Sequence, residues 1–141
     1  MTDPNGQVTL MEYDRVGRKT KVTAPDGGIT SLAYNYGTGF SVGTQHVMTT
    51  LSGAGLVSPL ASWNYFDGLG RSVRKEATAP DNKITVTEIQ YESRGAIRQK
   101  SLPYFKTLES AAGRWSTSSH DALGRVIRLD SPDGTRSLVC F

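Results

Sequence analysis

The chain has 141 residues, a formal net charge of +3, and 37% hydrophobic residues alongside 15 glycines and 6 prolines. That length holds about one domain, and no stretch approaches the roughly 20 consecutive apolar residues of a membrane-spanning helix. The single cysteine, Cys140, excludes an intramolecular disulfide framework or a multi-cysteine metal site within the chain, and the dispersed arginines lack the basic clusters interleaved with aromatics expected of a nucleic-acid groove.

In chain order, Met1-Thr2-Asp3-Pro4-Asn5-Gly6 lacks a basic region followed by an apolar one, so no signal peptide is expected here. It reads instead as a turn at Asp3-Pro4-Asn5-Gly6. Tyr13-Asp14-Arg15-Val16-Gly17-Arg18 follows, then a strand over Lys19–Thr23 and a turn at Pro25-Asp26-Gly27. The same succession returns as Phe66-Asp67-Gly68-Leu69-Gly70-Arg71 with Pro80-Asp81-Asn82 and strand 84–89. It returns again as His120-Asp121-Ala122-Leu123-Gly124-Arg125 with strand 126–129 and Pro132-Asp133-Gly134. The acids are 53 and 54 residues apart, so the register holds along the chain. Weaker copies lie between at Tyr91-Glu92-Ser93-Arg94-Gly95-Ala96 and Tyr34-Asn35-Tyr36-Gly37, halving the basic period. The repeats place both ends of the chain within a repeat. Residues 37–62 fit two longer strands about a loop at Gly53-Ala54-Gly55 or an irregular excursion from the sheet. The strands are favoured because so long a structureless loop is unusual in a compact domain. Residues 105–113 predict a loop with a single helical turn.

Each motif carries turn chemistry. The acid accepts from backbone two residues on, and the glycine takes the positive φ that closes a type I turn with a bulge. In Pro-Asp-Gly, proline presets φ and glycine supplies the left-handed position. The segments between are short and rich in β-branched residues, and no window carries a capped helical stripe. The fold class is all-β, an antiparallel meander. Internal repetition of such a unit means an array stabilised by stacking neighbours.

The chemical alternatives are weaker. Asp14, Asp67 and Asp121 occupy one turn position, and each motif offers a single carboxylate where calcium needs several oxygens. His46 and His120 are the only histidines, and His120 sits at the aromatic position of its copy. Ser118, Ser119, His120 and Asp121 do not make a triad, because successive strand side chains point to opposite faces. Gly37-Thr38-Gly39 and Gly53-Ala54-Gly55 lack the Gly-Lys-Ser/Thr of a phosphate loop. Tyr13, Tyr34, Tyr36, Tyr65, Phe66, Tyr91 and Tyr104 are expected to pack across strands, at about 0.2–1 kcal/mol per pair. The alternative for these rings is a surface platform that binds carbohydrate or another protein.

Aromatic-Asp-x-x-Gly-Arg followed by Pro-Asp-Gly resembles the YD repeat of Rhs proteins. The run from Phe66 through Tyr91-Glu92-Ser93-Arg94-Gly95 to Ser101-Leu102-Pro103-Tyr104-Phe105 is similar to the repeat region of toxin complex B-type and SpvB-like bacterial proteins. The resemblance covers essentially all of residues 1–141 as one segment, with repeats near 13–34, 66–91, 91–104 and 120–141. It implies a winding of a hollow β shell in an exported, toxin-like protein. Its partners would be neighbouring repeats, an enclosed toxin domain or toxin-complex components. The self-cleaving core segment of such proteins has no counterpart in residues 1–141. No catalytic residue, cofactor or metal is expected. The residues singled out are structural: Asp14, Gly17, Arg18, Asp67, Gly70, Arg71, Asp121, Gly124 and Arg125.

Overall fold

The computed structural model describes residues 1–36, 45–106, 111 and 114–140. Among these residues the regular structure is twelve antiparallel strands, with no α-helix. The all-β meander read from the sequence is the fold. The chain divides into two compact units, Met1–Gly70 and Arg71–Phe141.

The first unit is a meander of β1 (Leu10–Tyr13), β2 (Lys19–Thr23), β3 (Ile29–Asn35), β4 (Gln45–Ser52) and β5 (Leu60–Phe66), each paired with the next. β3 and β4 pair from Ile29↔Ser52 to Asn35↔His46, and β4 and β5 from Gln45↔Phe66 to Leu51↔Leu60. These are the two long strands expected around Gly53-Ala54-Gly55. The turn there runs through positive φ at Gly53, Ala54 and Gly55. Residues 37–44 of that stretch lie outside the described residues.

The second unit contains β6 (Ser72–Thr78), β7 (Ile84–Tyr91), β8 (Ile97–Ser101), β9 (Tyr104–Phe105), β10 (Trp115–His120), β11 (Val126–Asp130) and β12 (Arg136–Leu138). The order is β6-β7-β8-β10-β11-β12, with β9 on β7. β7 therefore serves two partners along one edge. Ile89–Tyr91 pair with β8, while Thr85 and Val86 pair with β9. At the break the Glu88 N–H, left without a backbone acceptor by the interruption, donates to Ser101 Oγ at 2.8 Å. Phe105 thus lies in a strand rather than in the expected loop, while the helical turn expected over 105–113 falls largely outside the described residues.

Three of the strand pairs shift register at one motif position. The bulges fall at Glu12/Tyr13, Gln90/Tyr91 and Ser119/His120, at the residue before each turn acid. A type I turn closed by a left-handed glycine leaves one extra residue on one strand, which is the bulge. Pro80-Asp81-Asn82 is built differently from Pro25-Asp26-Gly27. With Asn82 in the glycine's place, Asp81 (φ 60) and Asn82 (φ 55) both turn left-handed, the sense of a type I′ hairpin. Asp and Asn are the side chains that best tolerate that region.

A dry core is nearly absent. Among the described residues, Val86 and Tyr104 are the buried hydrophobic side chains, and Asp67, Glu76 and Ser101 the buried polar ones. Val86 lies between Glu76 and Tyr104 in register, so both neighbours flank it on one face. Most other strand positions are half-exposed.

Candidate functional site

The aspartates of the strong copies are engaged by their own turns. Asp14 Oδ1 accepts from the N–H groups of Val16 (3.0 Å) and Arg18 (2.9 Å), and Oδ2 accepts from Arg18 Nε at 2.7 Å. Asp121 repeats this with Leu123 N–H, Arg125 N–H and Arg125 Nε at 2.9, 2.9 and 2.7 Å. Asp67 Oδ1 accepts from Leu69 N–H at 2.9 Å, and Asp3 holds the first turn through Asn5 and Gln7. Gly17, Gly70 and Gly124 have φ of 80, 76 and 80°, which places each in the left-handed region. The Arg18 backbone N–H, followed by its guanidinium and the Val16 N–H, holds the Asp14 carboxyl below the ordinary carboxylate value, against an opposing effect of burial. Asp121 is lowered in the same way, led by the Arg125 N–H.

Pro-Asp-Gly reaches the same backbone with its acid two positions later. Ala24 and Ser131 stand where Asp14 stands, and their N–H and C=O groups close onto Gly28/Gly27 and Thr135/Gly134. Asp26 then caps Gly28 N–H at 2.9 Å, and Asp133 accepts from both the N–H and the hydroxyl of Thr135.

The arginine that ends a strong copy has a second task. The guanidinium carbon of Arg18 lies 4.4 Å from the Tyr34 ring centroid, and that of Arg71 lies 4.4 Å from the Tyr91 ring. The Tyr34 hydroxyl donates to the Lys19 carbonyl at 3.0 Å, and the Tyr91 hydroxyl to the Ser72 carbonyl at 2.8 Å. In each case the acceptor follows the stacked arginine. Continuing the β2–β3 and β6–β7 registers sets Arg18 across from Tyr34 and Arg71 across from Tyr91. Strong copies supply the arginine and weak copies the aromatic.

A family model described as RHS Repeat matches residues 1–29. Residues 1–29 are thus similar to an Rhs repeat. The matched stretch holds the Asp3 turn, the Tyr13-Asp14 copy, β2 and Pro25-Asp26-Gly27. No curated protein matches the chain. No helix among the described residues is long and apolar enough to cross a membrane.

Within this repeat array the weak copy at Tyr91 departs in a way the sequence did not disclose. Glu92 stands at the acid position but reaches a neighbouring repeat, with Oε1 2.8 Å from Nδ1 of His120. The His120 side chain is 7% exposed, so this contact is largely shielded. Arg94 extends from the same turn toward the Asp121 and Ala122 carbonyls. The sequence signal for this pair was the coincidence of two departures, glutamate for aspartate and histidine for tyrosine.

A second polar cluster surrounds Val86. The buried Glu76 carboxylate meets Arg74 Nη2 at 2.6 Å and Lys106 Nζ at 2.9 Å, and Arg74 also faces Glu88. Burial, then the Glu88 carboxylate to which its hydroxyl bonds, push the Tyr104 phenol above its ordinary value. Among the described residues no group of three or more His, Cys, Asp or Glu is gathered for a metal. The rings expected to offer a flat platform are largely occupied: Tyr34 and Tyr91 under arginines, Tyr65 tilted against His46, Tyr104 buried. Tyr13 and Tyr36 are exposed.

Proposed function

We propose that this Rhs/YD-repeat chain is a wall segment of a hollow β shell in an exported, toxin-like protein, with no catalysis of its own. The observation that carries the reading is the recurrence of one lock. An acid closes its turn, the arginine after it stacks on the next weak copy's tyrosine, and that hydroxyl returns to the strand beside the arginine. The turn aspartates and the arginines after them serve to hold hairpins in register.

A wall also accounts for a sheet with almost no dry core, because such a sheet is completed by what lies against its faces. The glycan-platform alternative gains less support, since four of its seven rings are engaged inside the sheet. The test is to purify the natural gene product with whatever flanks these residues and image it by electron microscopy. A closed hollow particle with these repeats in its wall supports the reading. A particle without an enclosed space, or chemical turnover that maps to residues 1–141, overturns it.

A further inference from the structure

The second unit divides its charges unevenly between its two faces. On the face that carries Val86, bases and acids pair: Arg74 and Lys106 with Glu76, and Arg128 and Arg136 with Asp130. The alternate positions of the same strands form the other face. Lys75 pairs with Thr87, Ile89 with Lys100, and Lys100 with Ser116, which makes a band across β6, β7, β8 and β10. Two adjoining clefts of about 370 and 690 Å³ open along it and share Lys100 and Ser116.

Among the described residues neither cleft has a carboxylate in its lining. Lys75 and Lys100 have no ion-pair partner among the described residues. The rest of the lining is hydroxyls, the His120 imidazole, which is held by Glu92, and apolar side chains, with Leu102, Ile97, Val126 and Leu129 the most exposed. From β6 to β10 is three strand steps, about 14 Å, the reach of four or five residues of extended chain.

We infer that this face docks an extended polypeptide segment in which acidic residues are interspersed with aliphatic ones. The carboxylates meet Lys75 and Lys100, the aliphatic side chains cover Leu102, Ile97 and Leu129, and serine and threonine hydroxyls take up backbone polar groups. The complementarity is of charge as well as of apolar surface, which distinguishes such a segment from a neutral or basic one. The inference rests on the cleft alone and holds whether or not the chain is part of a shell.

The test is fluorescence anisotropy of the full chain with a short dye-labelled peptide in which glutamate alternates with valine and serine. The comparison peptide carries lysine in place of glutamate. Binding of the acidic peptide alone is expected, weakening with salt and falling by on the order of tenfold in Lys100→Glu. Both lysines are exposed strand positions, so circular dichroism of Lys75→Glu and Lys100→Glu should match the parent. Equal binding of both peptides, no binding, or no effect of either reversal overturns the inference. Complete displacement by inorganic tripolyphosphate at equal charge would make the cleft a general anion patch, which also overturns it. So would a self-associated chain that Lys100→Glu converts to monomer, since a second copy would then be the occupant.

Discussion

Arg71 lies over the ring of Tyr91 with its guanidinium carbon 4.4 Å from the ring centroid, while the Tyr91 hydroxyl bonds the carbonyl of Ser72. Arg18 and Tyr34 reproduce the arrangement at the same separation. Each tyrosine is held twice, by the arginine over its ring and by the following residue's carbonyl at its hydroxyl, and the contributions can be separated. Tyr91→Phe keeps the ring and is expected to cost about 0.5–1.5 kcal/mol in urea denaturation. Arg71→Lys keeps the charge but loses the planar face, and should cost about 0.5–1 kcal/mol. Equal stability of Tyr91→Phe and the parent would show the hydroxyl bond to be immaterial.

Gly124 and Gly53 separate backbone strain from collision. A Cβ at Gly124 meets no atom within 4 Å, so the cost of Gly124→Val is led by its φ of 80°, about 1–2 kcal/mol. A Cβ at Gly53 falls 2.6 Å from the Gly27 carbonyl oxygen as well as requiring a positive φ. Gly53→Ala should therefore cost clearly more, despite the smaller side chain. Thermal unfolding of the two variants side by side decides the order.

The turn acids predict an acid limb. Asp14, Asp121, Asp130 and Asp133 all have carboxyls lowered in the folded chain. For Asp130 the cause is hydrogen bonding from Arg128 and then Arg136, and for Asp133 bonding from Thr135. A lowered folded value means the unfolded chain binds more protons in the window between the two values. Stability is then fully present above the ordinary carboxylate range, near pH 4, and is lost as pH falls through the lowered values. Urea midpoints measured from pH 6 downward should fall below about pH 4, and Asp121→Asn should flatten that limb. An unchanged slope would remove Asp121 as a contributor.

Glu76 predicts a strong asymmetry between single and double substitution. Its side chain is 3% exposed and its carboxylate depends on Arg74 and Lys106. Arg74→Met strips one partner from a buried charge and should destabilise by about 3 kcal/mol. Adding Glu76→Leu to that variant should recover part of the loss, because a buried pair exchanged for apolar side chains of similar volume is often near neutral. Additive losses in a double-mutant cycle would contradict a coupled pair.

The scarcity of dry core predicts association. Among the described residues, Leu10, Tyr13, Leu129 and Leu138 belong to many exposed large hydrophobics, against two buried ones. The isolated chain should sediment as a concentration-dependent mixture. A monomer with sharp, reversible and concentration-independent unfolding would count against an incomplete sheet.

Much of this was readable in the residues. Asp-x-x-Gly-Arg specifies its own turn through contacts within four residues, so both the turns and the strands beside them follow from local chemistry. The alternation of strong and weak copies was also visible, but its reason was not. That reason is register: Tyr34 and Tyr91 matter because they lie across from Arg18 and Arg71, and sequence does not state which strand positions face one another. The Glu92–His120 contact spans 28 residues and joins two substituted positions. Ser101 completing β7 where β8 gives way to β9 depends on a break that no propensity marks. Pro80-Asp81-Asn82 was legible as a turn, but its double left-handed geometry follows from the loss of one glycine.

The meander has a kinetic meaning. Within each unit nearly every strand finds its partner in the strand just before or after it, β7 with β9 and β8 with β10 being the longer reaches. Asp14 and Asp121 bond residues within four positions of themselves, so such a hairpin can close as soon as its last residue is available. Such contacts are short in sequence and carry little loop-closure cost. The chain can thus fold progressively from whichever end emerges first, whether from a ribosome or through a narrow pore, and can be drawn out again a hairpin at a time.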